Sequence, residues 1–299
     1  GMDVLASAEI YSPQTGTWRP TGPLAVPRAG HTATAIGDGT VLVSAGYDNS
    51  GDHFTEAERF RAGVFRAAGR IRQTRFFHTA VALGGGRVLV GGGTDPASGA
   101  IGSLELYTAG SGWSAAASLA PMRTPRTLHA SAMLPNGDVL FVGGYNEASG
   151  ALAGAERYSP GTNTWTNDAT MERARYDSAP ATMPDGRVLF VSGQSLTWQY
   201  SDGELYDPST RTFARTRGAS APRGMAHTAT PLFDGRVLAV GGLNQGPTIV
   251  AAADLFDVTQ PDVDAGPDDE PDGSLSVDAS TPRDAATPPP QSGDAGLTD

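Results

Sequence analysis

The chain is 299 residues long and contains neither cysteine nor lysine. The first absence excludes disulfides, thiolate metal sites and a cysteine nucleophile, and it leaves the compartment open. All 21 basic residues are arginine, beside abundant Ala, Gly and Pro, which fits a GC-rich coding bias before any functional choice. No run approaches the ~18 consecutive apolar residues of a membrane-spanning helix. Met2–Leu5 has neither a basic region nor an apolar core, so no secretory leader is visible.

Basic patches are also missing. The net charge of −11 argues against nucleic acid and anionic lipid as partners. The acid is unevenly spread. From Thr259 to Asp299, nine Asp and one Glu stand against one Arg, and the rest of the chain is close to neutral. That stretch is rich in Asp, Pro, Ser and Ala and has no aromatic residue, so it cannot bury enough apolar surface to offset its ordering entropy. Residues 259–299 are therefore expected to be a disordered acidic tail or linker. Within it, Asp268–Leu275 echoes the start of a calcium loop, but Ala279 stands where the closing Glu belongs and Pro271 interrupts, so a solvated linker is the plainer reading.

What is present is a repeat. Val-Leu pairs begin at positions 41, 88, 139, 188 and 237, spaced 47, 51, 49 and 49 residues apart. Each follows a tight turn: Asp38-Gly39, Gly85-Gly86, Asn136-Gly137, Asp185-Gly186 or Asp234-Gly235. Such pairs supply the positive φ that two-residue hairpins require. Ahead of the turn lies a run of small and β-branched residues such as His31–Ile36, and behind it an apolar run ending in glycine, such as Val88–Gly93. Both are short and bounded by turn residues, which predicts buried strands. A second phrase follows, as in Leu104-Glu-Leu-Tyr107 or Ala155-Glu-Arg-Tyr158, and five to seven residues after its aromatic a second one appears: Phe65, Trp113, Trp165 and Phe213. Four short antiparallel strands make one sheet that cannot cover both its faces alone, so neighbouring copies must stack; stacked radially, they form a propeller.

The glycine pairs Gly91-Gly92, Gly143-Gly144 and Gly241-Gly242, followed by Tyr107 with Trp113 and Tyr158 with Trp165, resemble the kelch family. Ser44-Ala45-Gly46 and Ser192-Gly193 depart from the pattern, and Phe replaces Tyr or Trp in several copies. The resemblance covers about residues 5 to 258 and implies an all-β, kelch-type β-propeller whose first strands line a central channel. Full blades are expected at 29–67, 77–116, 127–167 and 176–215, with strands three and four of another unit at 6–20 and strands one to three of a last unit at 226–258. This gives about five four-stranded blades over residues 1–258, or part of a six- or seven-bladed ring. In the five-bladed version the Trp18 strand completes the last blade.

Before each first strand stands Arg28-x-x-His31, Arg75-x-x-His78, Arg126-x-x-His129, Arg175-Tyr176-Asp177 or Arg223-x-x-x-His227. In a radial arrangement these loops converge on one channel mouth. Two readings stand. A ring of Arg and His suits an anionic or hydroxylated ligand; alternatively each His bonds a neighbouring blade and is copied with the repeat. Asp177 breaks the symmetry and marks where specificity enters. No two histidines stand at chelating spacing, so no metal or other cofactor is assigned. The strand-three acids Glu9, Glu58, Glu105, Glu156 and Glu204 recur once per unit, as structural partners of arginine would and a catalytic pair would not. The glycine clusters lack the Lys of a phosphate loop.

Every polar feature is repeated, so the sequence reads as a non-enzymatic, monomeric binding scaffold for a protein or glycan. The resemblance and the acidic tail place it at the cell surface of a bacterium or outside it. The alternative is a carbohydrate-active enzyme of the sugar isomerase or oxidase type, as among galactose-oxidase-like propellers, with an asymmetric cluster such as Arg175, Asp177 and His129 or His227. A copper radical site of the galactose oxidase kind requires a Tyr cross-linked to Cys, and this chain has no Cys.

Overall fold

The computed structural model describes residues 4–114, 118–219, 221–244 and 248–258, and no α-helix occurs among them. The acidic tail and its calcium-like stretch lie outside the described residues. Four sheets of four strands and one of three radiate from a central channel. Blade 1 holds β3 (Thr32–Gly37), β4 (Thr40–Ser44), β5 (Glu56–Arg61) and β6 (Val64–Arg70). Blade 2 holds β7 (Thr79–Gly84), β8 (Arg87–Gly91), β11 (Leu104–Thr108) and β12 (Gly112–Trp113), with a small hairpin, β9 (Thr94–Asp95) and β10 (Gly99–Ala100), in its loop. Blade 3 holds β13 (Ala130–Met133), β14 (Val139–Val142), β17 (Gly154–Ser159) and β18 (Thr164–Thr170), with β15 (Tyr145–Asn146) and β16 (Gly150–Ala151) as its loop hairpin. Blade 4 is β19 (Ala179–Thr182), β20 (Val188–Val191), β21 (Gly203–Asp207) and β22 (Thr212–Arg215), and blade 5 is β23 (Met225–Pro231), β24 (Val237–Leu243) and β25 (Ala253–Phe256). The first strands β3, β7, β13, β19 and β23 stand side by side in chain order.

The second strands of blades 2, 3 and 4 are sandwiched between neighbouring blades, which explains their unbroken apolar runs. All four residues of β14 are buried. Leu140 and Val142 pack on Val188 and Phe190 of the next blade, while Val139 and Phe141 pack on Leu89 of the blade before. The same interleaving joins Leu42 to Val88 and Val90, and Leu189 and Val191 to Val237 and Ala239. The repeated aromatics wedge between blades: Trp113 Nε1 donates to Ala68 O at 3.0 Å, and Trp165 Nε1 to Ala120 O at 2.8 Å.

The departures in the glycine pairs have a backbone reason, and the structure moves the blade 2 pair one residue on, from Gly91-Gly92 to Gly92-Gly93. The first position is left-handed, with φ of 62° at Gly92 and 63° at Gly143, and Ala45 (60°) and Ser192 (51°) occupy it too, at a cost of roughly 1–2 kcal/mol for a residue with a Cβ. The second position has φ between 96° and 105° in all five copies. That φ lies beyond the left-handed region that Ala45 and Ser192 tolerate at the first position, so only the second position is glycine throughout.

The N-terminal phrase does not complete blade 5. β1 (Glu9–Ser12) and β2 (Thr17–Pro20) pair only with each other among the described residues, and blade 5 keeps three strands. The loop after β2 holds the hairpin to blade 1: Leu24 N donates to Ala6 O at 2.8 Å, and Ala25 N to Glu58 Oε2 at 3.0 Å. Those bonds, made within residues 6–63, keep the strand with its own neighbour.

Candidate functional site

The segments that precede the first strands do converge, and the structure separates their arginines from their mouth-facing residues. Arg28, Arg75, Arg126, Arg175 and Arg223 are all buried, at 3% exposure or less. Arg126 shows the pattern. Its Nη1 donates to Gly143 O (2.7 Å) and Gly154 O (2.9 Å), and its Nη2 to Glu156 Oε1 (2.8 Å). Glu156 also accepts the backbone N–H groups of Arg123 and Thr124. Arg28 with Glu58, Arg75 with Glu105, Arg175 with Glu204, and Arg223 with Asp254 repeat it. Each guanidinium thus ties the loop before strand one to the end of strand two and the start of strand three. These arginines are internal struts, which corrects the expectation that they present to a ligand. The strand-three acids are their partners, as expected; Glu9 lies on the hairpin outside this scheme.

The histidines open the first strands and point across blade boundaries. His78 Nε2 lies 2.9 Å from Thr32 Oγ1, and His129 Nε2 lies 2.9 Å from Thr79 Oγ1. His227 Nε2 meets Val191 O at 3.0 Å. These rings are kept neutral. Burial, then the charge of the nearby strut arginine, pushes His129 down to about 3, and His78 is lowered well below its ordinary value by the same causes. His31 and His227 are lowered chiefly by burial. Among the described residues no group of three His, Asp or Glu is placed to hold a metal ion.

A folded-state pKa depressed below the unfolded value near 6.5 gives stability that is present above 6.5 and lost as pH falls towards the folded value. Urea midpoints should therefore fall steadily from pH 7 to pH 5. His129→Gln should flatten that slope; an unchanged slope would remove the histidines as its source.

The mouth itself is a cavity of about 470 Å³. Its ring is formed by the residue just ahead of each histidine, or of Ser178 in blade 4: Gly30, Phe77, Leu128, Asp177 and Ala226, all left-handed, with φ of 62°, 54°, 53°, 58° and 58°. Backbone bonds link the ring from blade to blade: Phe77 N to Gly30 O (3.0 Å), Leu128 N to Phe77 O (3.1 Å) and Asp177 N to Leu128 O (2.8 Å). Four non-glycine residues held in a sparsely populated conformation at one cavity mark a site where backbone strain is maintained by its surroundings.

Asp177 belongs to this ring and not to the histidine position, which Ser178 occupies. The sequence pattern placed it one residue out because blade 4 lacks the histidine. Burial pushes its carboxyl up to about 6, opposed by the Gln194 Nε2 hydrogen bond at 3.3 Å. Arg175 does not reach it; that guanidinium is spent on Ser192 O, Asp202 and Glu204. The asymmetric cluster required by the enzyme reading is therefore not assembled.

Sequence reasoning missed Phe77 and Leu128, although the third residue of each Arg-x-x-His was available as a signal. It also missed the rim. Tyr47 packs on Phe76 with ring centroids 5.1 Å apart, and Tyr145 on Tyr176 at 5.9 Å. The equivalent pair between blades 2 and 3 is Thr94 and Thr127, bonded at 2.8 Å. Blades of one repeat therefore carry a face that differs from blade to blade.

Comparison with known proteins agrees with this architecture: residues 126–172, the whole of blade 3 with its strut arginine, match the Kelch motif. Blade 3 is thus similar to a kelch repeat, and the other blades share its strand order. An F-box/kelch-repeat protein of Arabidopsis thaliana is 32% identical over 129 residues, covering 42% of this chain and 34% of its own length. A putative F-box/kelch-repeat protein of the same plant is 30% identical over 37% of this chain and 34% of its own. The spermatocyte protein spe-26 of Caenorhabditis elegans is 28% identical over 45% and 24% respectively. The chain thus matches about a third or less of the length of these curated relatives.

Proposed function

We propose that this kelch propeller is a protein-recognition scaffold whose channel mouth takes a partner loop presenting a basic side chain between apolar ones. The observation that carries it is Asp177, a carboxyl held part-buried between left-handed apolar ring residues, with Gln194 as its side-chain partner. A cation brought to it offsets its desolvation and completes a charge-assisted bond. The same end of the propeller carries the strand two–three loops, where Leu196 is 68% and Ile249 76% exposed, beside Phe77 at 38%. Exposed apolar groups around one polar anchor are the composition of a binding surface. The similarity to F-box/kelch-repeat proteins supports a scaffold over an enzyme.

A peptide array of Lys- or Arg-centred apolar sequences tests this at pH 5 and pH 7. Binding should strengthen as pH rises through about 6, where Asp177 ionises. Asp177→Asn should weaken the best binder about tenfold, or ~1.4 kcal/mol, and abolish the pH dependence. Equal binding by that variant at both pH values would sink the reading. A glycan array run beside it separates the second class of ligand: glycan binding that survives Asp177→Asn would favour sugar recognition by the aromatic rim. We further place the propeller, as a monomer, in a secreted or surface protein of a bacterium, with the Asp- and Pro-rich composition after residue 258 supporting a tether. Sedimentation and protease treatment of intact cells test those two points.

A further inference from the structure

Blade 3 carries a polar lock on its flank towards blade 4, at the end of the propeller away from the mouth. Arg157 of β17 is buried there between two carboxylates: its Nε stands 3.5 Å from Asp138 Oδ2 and 3.6 Å from Asp168 Oδ2. Asp138 stands just ahead of β14 and Asp168 lies on β18, so the guanidinium ties the three outer strands of the blade together. Tyr206 of blade 4 closes the lock, its hydroxyl donating to Asp168 Oδ1 at 3.0 Å.

Blade 1 keeps the arginine and lacks both acids. Arg59 pairs with Leu42 as Arg157 pairs with Leu140, so the two arginines share one register position. Thr40 then stands where Asp138 does, and Ala68 where Asp168 does. Arg59 Nε is buried without a hydrogen-bond partner, and among the described residues no acid pairs with its guanidinium. Two more arginines share its face of the sheet. Arg61 lies two residues on along β5, and Arg66 of β6 is the direct cross-strand partner of Arg59. Like charges placed directly opposite in a sheet repel. Arg61 meets Asp38 at 3.2 Å, but both side chains are more than half exposed, which makes that pair a weak hold.

These three arginines line a cavity of about 680 Å³ between blades 1 and 2. Blade 2 gives its wall only Gly86 and Ala109, whose small size leaves the space open, and Asp38 is the one acid among the lining residues. We propose that this cavity docks an extended acidic segment of a partner protein, with aspartate or glutamate at alternate positions. Blade 3 shows the chemistry that is missing in blade 1: the arginine at this register is satisfied by two carboxylates, and here the partner supplies them. Guanidinium and carboxylate match in a charge-assisted, bidentate pair. Arg59 and Arg61 are two strand residues apart, about 6.6 Å, which is also the spacing of side chains along one face of an extended peptide. The cavity lies beside the Asp38-Gly39 turn that ends β3, whereas the mouth lies at the His31 end of that strand. The two sites are therefore separate, and this one does not depend on Asp177.

The test is fluorescence anisotropy of the full chain with a labelled, end-blocked peptide Asp-Ser-Asp-Ser-Asp. Binding should saturate and should weaken as salt rises, and the peptide Asn-Ser-Asn-Ser-Asn should not bind. Arg59→Gln should weaken binding about tenfold. Arg66→Gln, at an exposed position, should do the same without touching the core. Thr40→Asp gives blade 1 the carboxylate that blade 3 has in Asp138, so it should abolish binding while the thermal midpoint is kept. Arg236→Gln removes one charge from an exposed turn of blade 5 and should bind as wild type does, which separates the cavity from general attraction between charges. The proposal is overturned if the acidic peptide does not bind, if Thr40→Asp or Arg66→Gln binds it as wild type does, or if Arg236→Gln weakens it as much as Arg66→Gln. Tighter binding of inorganic phosphate at matched ionic strength would assign the cavity to a phosphate and overturn it too.

Discussion

Arg126→Ala unfolds the propeller more readily than any surface change, by about 3–5 kcal/mol, because it leaves the Glu156 carboxylate buried without its cation. The loss has three parts. Glu156 keeps only its two backbone donors, Arg123 and Thr124. The carbonyls of Gly143 and Gly154 lose their shared donor, and a buried unmade acceptor costs about 1–3 kcal/mol. The side chain's volume also disappears from a site only 2% exposed. Two further variants separate these parts. Arg126→Lys keeps the charge but cannot span three acceptors with one ammonium, so it should fall between wild type and alanine. Arg126→Met with Glu156→Gln removes the charged pair and should recover only part of the loss, since the Gly143 carbonyl stays unpaired while that of Gly154 keeps the Gly143 N–H. Urea titration of the three variants decides the matter. Full recovery in the double variant would mean that the ion pair alone, and not the strut, is what the repeat preserves.

Phe141→Ala is the second large effect, expected at about 3–5 kcal/mol for a buried phenylalanine. Phe141 is 1% exposed and lies on the blade 2 side of β14. Its ring stands 5.3 Å from Trp165 and 5.7 Å from His129, centroid to centroid. Its edge also occupies the space above Gly91, where a Cβ would come within 2.8 Å. Truncation opens a void on a boundary between two stiff sheets that cannot close without moving a whole blade, so the cavity penalty should persist in full. Phe141→Leu should cost less than about 1.5 kcal/mol if some volume is kept. A fall in urea midpoint at constant slope is the expected signature. A loss below about 1 kcal/mol would show that the blades slide to refill the gap, and the picture of rigid interleaving would fail.

The two variants act on different levels of the same design. Arg126 secures one blade to its own loops; Phe141 secures one blade to the next. The mouth residues do neither job. Phe77, Leu128 and Asp177 are joined from blade to blade by backbone N–H to carbonyl bonds, so their side chains are free to differ from blade to blade, and they do. That division is why substitutions at the mouth should alter recognition with little change in stability.

Much of the fold was legible because a repeat records local constraints. The Asp-Gly turns need positive φ, second strands buried on both faces need unbroken apolar runs, and both demands are met within a few residues. The Arg-x-x-His segments were equally visible as a pattern, but their meaning was not. Arg126 and Glu156 are thirty residues apart in sequence and 2.8 Å apart in space, and nothing local says that the guanidinium turns inward. The alignment of Asp177 with the histidines was wrong by one residue because blade 4 has Ser178 there, and only the backbone ring reveals the correct register. The Trp18 strand was misplaced for a similar reason: pattern alone could not weigh its bonds to blade 1 against a vacancy in blade 5.

By itself, then, the sequence determined the unit, its four-strand order and the faces each strand must bury, since alternation and turn chemistry act over a handful of bonds. Tertiary structure decided which polar groups became struts, which residues formed the mouth, and where the succession of blades breaks off. Those outcomes depend on contacts between segments thirty to fifty positions apart, where burial and the supply of partners, not local propensity, choose the side chain's role.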